Sequence, residues 1–191
     1  MGGNKQFLTS PLVNCLSEEN FFKLMTSRKK LSVILNLPPG PDLGLVGQEN
    51  PIEFLPAYQR YNGIIYQESN FSSVYPKLSA KNVIIISALY GVLDANELIR
   101  NYELKMDHTL PIGAKVKTWW KSPGLGSIVR ELVCNDAFQI VHDLVPKAYR
   151  DALKPWPPQC KNGNLIQYDY PGQGSGSIWR RAEDLNNLLI P

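Results

Sequence analysis

The sequence predicts an α/β fold: a single domain over residues 1–191 with a mixed, largely parallel central sheet flanked by helices. Three observations lead there. Val83–Ile86 is an unbroken β-branched run of the kind that forms a strand buried on both faces. A second apolar stretch, Phe138–Val141, repeats the order of strand, polar turn (His142, Asp143) and helix. Between them Leu125, Ile128, Val129, Leu132 and Val133 recur at helical spacing, giving an amphipathic helix to cover a sheet face. At 191 residues and 43% hydrophobic, the chain has the length and apolar content for one ordinary core.

In chain order, Ser17 is placed to cap a helix whose first turn holds Glu18 and Glu19, where the dipole favours negative charge. Phe21, Phe22, Leu24 and Met25 supply its apolar face, and Arg28, Lys29 and Lys30 are expected at its solvated C-terminal end. Leu31–Leu37 reads as a first strand, ended by Pro38, Pro39, Gly40 and Pro41, with a loop through Gly44 and Gly47 to Asn50. Pro51 suits the first turn of a second helix. A short helix over Ser72–Leu78 leads into the Val83–Ile86 strand, and Gly91 permits a sharp reversal after it. Tyr102, Leu104 and Met106 alternate with Glu103 and Lys105, the pattern of a half-buried strand. Pro146 opens a helix with Lys147, Tyr149, Arg150 and Leu153. Gly163 marks a turn before a strand at Leu165–Tyr170, and Pro171–Ser177 runs directly into a last helix.

Composition limits the function classes. No apolar run approaches the ~20 residues that span a bilayer, and the N-terminus lacks the apolar stretch of a secretory signal, so a cytoplasmic protein is expected. Cys15, Cys134 and Cys160 are odd in number and widely spaced, which reads as three reduced thiols. A net charge of +3 permits a nucleic-acid partner without demanding one. No HExxH or paired CxxC is present, so no metal is expected, and His108 and His142 stand outside any nucleophile motif. The Gly172–Gly176 loop matches neither the P-loop nor the dinucleotide fingerprint, and no cofactor is expected.

Candidate site residues cluster after the Val83–Ile86 strand, because ligands of open α/β sheets sit beyond the carboxyl ends of parallel strands. Ser87, Tyr90 and Gly91 form that turn, and Asp94 and Glu97 follow it. Tyr61, Tyr66 and Tyr102 offer rings that can stack on bases, at ~1–3 kcal/mol each in single-strand binders, or can equally be half-buried core. Lys115, Lys117 and Lys121 are interleaved with Trp119 and Trp120, a pattern that serves phosphates and bases or simply a solvated helix. Lys147 and Arg150 belong to the same expected sheet edge. Gly174 and Ser175, followed by Arg180 and Arg181, can cradle an anion at a helix N-terminus.

SALYGVL at Ser87–Leu93, followed by the spaced Tyr102, Leu104 and Met106, resembles a hallmark of the YaaA family of peroxide-stress proteins. Tyr61, Gly63 and Tyr66 resemble that family's F-x-G-x-V-Y; Trp120, and Leu144 with Tyr149, resemble two further motifs more faintly. The chain departs from the pattern at Asp94-Ala95, where the family has Arg-Pro, and at the glycine loop, where it has a basic segment. Thr9-Ser10-Pro11-Leu12 is a remnant of its S-P-A-K. The resemblance implies a compact, cytosolic α/β protein that binds DNA and protects against oxidative damage. The residues leave two other readings open. One is an enzyme on a nucleobase, nucleoside or nucleotide that cleaves or transfers an N-glycosidic bond, with Asp94, Glu97 and Tyr90 as catalytic groups. In the other, SALYGVL is a packing motif. Nothing in the sequence fixes an oligomeric state.

Overall fold

The computed structural model describes residues 15–43, 53–78, 82–135, 139–160 and 165–189. Thr9–Leu12, Gly44, Gly47, Asn50, Pro51, Phe138 and Gly163 lie outside the described residues, and with them the expectations placed there.

Helix α1 spans Glu18–Ile34, and the Ser17 side chain accepts from the Asn20 N–H as expected of its cap. The helix does not stop at Arg28–Lys30. It runs on into the first four residues of the segment expected to be the first strand, because Leu24, Ser27, Arg28, Leu31 and Ser32 fall on one buried face at helical spacing. Glu131 accepts from the Ser17 N–H at 2.6 Å and so adds a cap from a distant helix.

Strand β1 (Phe54–Pro56) precedes the short helices α2 (Ala57–Arg60), α3 (Ile64–Glu68) and α4 (Phe71–Val74). Strand β2 (Ile84–Ser87) is the expected β-branched run, but its neighbour corrects the expected topology. After Ser87 the chain reverses at once, and β3 (Gly91–Asp94) pairs back antiparallel, Ser87 opposite Gly91 and Ile84 opposite Asp94. The turn is so tight because Gly91 sits at φ +75°, and a Cβ there would lie 2.8 Å from the Trp120 ring. Such a hairpin leaves no room for the crossover that a parallel neighbour requires.

Strand β4 (Leu98–Arg100) pairs antiparallel with β1. Tyr102, Leu104 and Met106 are more buried than Glu103 and Lys105, so the alternation is real, yet the segment joins no strand. Helices α5 (Val116–Lys121), α6 (Leu125–Val133) and α7 (Lys147–Leu153) follow, with β5 (Val141–Asp143) between the last two. Strand β6 (Leu165–Gln167) pairs parallel with β5, and α8 (Ser177–Leu189) closes the described chain. The described residues therefore carry three two-stranded sheets, two antiparallel and one parallel, in a mixed α/β fold. The largely parallel central sheet is not what they form.

The interior is assembled from many elements around the SALYGVL turn. Leu24, Leu31, Leu43, Phe71, Ile99, Trp120, Leu125 and Ile128 are fully buried with Tyr90. The turn's polar backbone is satisfied in detail. Ala88 O accepts from Trp120 Nε1 at 2.8 Å, the Tyr90 N–H donates to Ser87 Oγ, and Tyr90 O accepts from Arg28.

The cysteines correct a second expectation. Cys134 and Cys160 form a disulfide, because the end of α6 and the proline-rich segment after α7 meet with Cα atoms 5.0 Å apart. Three reduced thiols are therefore not what the fold shows. No helix among the described residues is long and apolar enough to cross a membrane.

Candidate functional site

The candidate residues around β2 separate into an interior set and a set of half-buried rings. Tyr90, Asp94 and Glu97 belong to the first. Arg28, fully buried in α1, donates through Nε to Tyr90 O at 2.9 Å and through Nη2 to Val92 O at 2.7 Å, and Nη1 pairs with Glu97. On the other side of Tyr90, Arg100 makes a bidentate pair with Asp42 at 2.7 and 2.6 Å and donates to Pro38 O. The Tyr90 hydroxyl donates to Asp42 at 2.6 Å. Burial, with the Asp42 charge beside it, pushes the Tyr90 phenol far above its ordinary range. Asp94 accepts from the N–H and the side chain of Asn96, the local bonding of an Asx turn. The expected rim is thus closed. Asp94, Glu97 and Tyr90 are 2%, 5% and 0% exposed, and their bonded partners are protein groups.

The second set joins the buried Ser87 to half-buried tyrosines through their hydroxyls. Ser87, at the end of β2, meets the Tyr102 hydroxyl at 2.8 Å, which in turn meets the Tyr61 hydroxyl at 2.7 Å. The Tyr61 ring lies 5.4 Å from that of Tyr66 and stands edge-on to Tyr102. Tyr66 comes from α3, and Tyr149 of α7 adds to the rise of the Tyr66 and Tyr102 phenols. Burial is the main cause of that rise, and Tyr102 is pushed up to about 12 although its bonds to Ser87 and Tyr61 pull the other way. All four phenols are therefore neutral donors and acceptors at physiological pH. Four rings and a serine from β2, α3, α7 and two loops converge here, and the rings remain only half-buried.

The candidate cations lie on α5, α7 and α8. Helix α5 packs on α7, and Lys115, Lys121 and Lys147 on this pair are exposed. Lys117 pairs with Asp107 at 2.7 Å and reaches Asp151 at 3.6 Å, and Asp151 also takes Lys154. Arg150 is used inside the fold: it faces Asp143 at 3.1 Å, pairs with Asp169, and donates to the carbonyls of Asp143 and Tyr168. Helix α8 packs on α3. Gly174 and Ser175 lie in the 3-10 turn before α8, with Gly174 exposed. Arg180 is exposed and pairs with Glu183. Arg181 is buried, stacked 4.6 Å over the Tyr170 ring, with Nη1 donating to Ser177 O. Burial lowers the Arg181 pKa.

Of the residues singled out from sequence, the fold brings Ser87, Tyr61, Tyr66 and Tyr102 together and sets Lys115, Lys121 and Lys147 on one helix pair. It turns Gly91, Tyr90, Asp94, Glu97, Arg150 and Arg181 to internal contacts. Sequence reasoning missed Arg28, Asp42 and Arg100, because their pairings span 69 and 58 positions and leave no local pattern. Tyr149, read from the sequence as part of a helix and for its likeness to a family motif, joins the cluster from α7. Among the described residues no group of three or more His, Cys, Asp or Glu is placed to hold a metal ion.

Comparison with known proteins finds no match among curated proteins. A family model described as peroxide stress protein YaaA matches residues 42–179. That span covers well over half of the chain and takes in both buried ion pairs' acidic partners, the whole tyrosine cluster and the α5–α7 cations. The chain belongs to the peroxide stress protein YaaA family.

Proposed function

We propose that this protein binds DNA in the cytoplasm and that this binding serves protection against oxidative damage. Bases stack on the half-exposed face of Tyr61, Tyr66, Tyr102 and Tyr149, and phosphates lie on Lys115, Lys121 and Lys147. One observation carries the reading: α7 brings Tyr149 to the tyrosine cluster, and Lys147 at the start of the same helix, which packs on α5, stays exposed. Rings with neutral hydroxyls and exposed lysines are what single-strand recognition uses, stacking for the base and cations for the backbone. The reading that uses Asp94 and Glu97 as catalytic acids has less support, since both carboxylates are closed in by Asn96 and Arg28.

The test is a titration of fluorescent single- and double-stranded DNA at several salt concentrations. Three phosphate contacts predict that log K falls against log salt with a slope of about −2 for single strands and about −2.7 for duplex. Lys147→Gln is expected to reduce the slope by about 0.7 on single strands, and Tyr149→Phe to leave it unchanged. An absent or salt-insensitive interaction overturns the proposal.

A further inference from the structure

The disulfide joins the C-terminal end of α6 to the proline-rich segment after α7. Cys134 closes α6, its N–H donating to Arg130 O. Cys160 ends the proline-rich segment after α7 and lines a surface cavity of about 260 Å³ with Pro157, Pro158 and Leu165. Both cysteines are half-buried, and neither belongs to the buried core built on Leu24, Leu31, Tyr90 and Trp120. A chain of this length buries enough apolar surface to fold without a cystine staple. The bond therefore has a use other than replacing a missing core.

We propose that Cys134 and Cys160 are a reversible dithiol–disulfide couple oxidised by a hydroperoxide, with Cys160 the reacting thiol and Cys134 the resolving one. Position sets the roles. Cys134 sits at the C-terminal end of α6, where the helix dipole disfavours a thiolate. Cys160 faces the cavity, where a small peroxide has access to it. Membership of a peroxide-stress family supplies the class of oxidant.

The chemistry balances with these groups alone. The Cys160 thiolate attacks one peroxide oxygen, the O–O bond breaks, and the other oxygen leaves and is protonated to an alcohol or water. Cys160 is then a sulfenic acid. Cys134 Sγ attacks Cys160 Sγ and expels its hydroxyl, which leaves as water with the Cys134 proton. Two thiols lose two electrons, and the peroxide bond gains them.

The couple reaches the rest of the protein through Trp156, four residues before Cys160. Its Nε1 donates to Asp143 Oδ2 at 2.8 Å, and Asp143 faces Arg150 of α7. In the oxidised protein the 155–160 segment is held at both Cys160 and Trp156. In the reduced protein only the Trp156 anchor of that pair remains.

The experiment uses the full chain and hydrogen peroxide and needs no nucleic acid, so it stands or falls apart from the DNA reading. Protein reduced with dithiothreitol, then freed of it, is given one equivalent of peroxide and mapped by mass spectrometry. The expected result is recovery of the Cys134–Cys160 linked peptides with one equivalent consumed. In Cys134→Ser, dimedone should label Cys160 under peroxide; in Cys160→Ser, labelling of Cys134 should be at least tenfold slower. Circular dichroism checks that both variants fold, and the wild-type mapping decides the matter should either fail. Three results overturn the proposal: a bond that dithiothreitol cannot reduce in the folded protein, reduced thiols that peroxide leaves unlinked, or equal labelling of the two cysteines.

Discussion

Replacing Glu97 by leucine removes the carboxylate that faces Arg28 while keeping a side chain of similar size. Both groups lie in the interior, with side chains 0% and 3% exposed. The Arg28 guanidinium keeps its bonds to Tyr90 O and Val92 O but loses its counter-charge. Removing one partner of a buried pair costs about 3–5 kcal/mol, because the other charge stays desolvated. For a chain of this size that lowers Tm by roughly 10 °C. Arg28→Met should cost at least as much, since it strands the Glu97 carboxylate and frees two carbonyls of the β2–β3 hairpin. The double variant removes both charges, so the two losses should not add. A coupling of about 2–3 kcal/mol is expected from the cycle. Urea denaturation of the four proteins, followed by far-ultraviolet circular dichroism, measures each term. A cost below about 1 kcal/mol for Glu97→Leu, or full additivity, would refute the assignment of this pair as a closed interior contact.

Gly91→Ala is expected to destabilise by at least 2 kcal/mol, roughly 1–2 from the left-handed backbone and the rest from the Trp120 ring 2.8 Å away; a shift of the urea midpoint at constant m-value checks this. Tyr102→Phe leaves Ser87 and Tyr61 each short of a partner and should cost about 1 kcal/mol by the same assay. The Tyr102 phenol also sets an alkaline limit. Its folded pKa of about 12 lies above the ordinary 10.0, so its neutral form is favoured by folding. That stability is complete below pH 10 and is lost as pH rises from 10 toward 12. Stability measured from pH 9 to 11.5 should fall less steeply in Tyr102→Phe than in wild type; an identical slope would count against a buried phenol.

Some of the fold could be read from short stretches of chain. The Ser17 cap, the amphipathic α6, the β-branched β2 and the last helix after the glycine loop all appear where the sequence places them. Each is marked by residues contiguous in the chain. Elsewhere local pattern misled. Leu31–Leu37 has β-prone composition, yet its first four residues continue α1, because Leu31 and Ser32 extend the buried stripe of Leu24 and Arg28. Arg28 looked like a solvated helix end and is among the most buried side chains.

The sequence by itself determined the family, the mixed α/β class and the central place of Ser87–Leu93, because those properties reside in contiguous residues and in period. It also singled out Tyr61, Tyr66 and Tyr102, which the fold collects into one cluster. Only the tertiary structure decided which polar residues face inward. Arg28–Glu97 and Arg100–Asp42 join positions far apart, and no local spacing encodes a pairing whose strength comes from joint burial. The same holds for Cys134 and Cys160. Their separation of 26 residues says nothing until α6 and the proline-rich segment fold against each other and bring the two sulfurs within bonding distance.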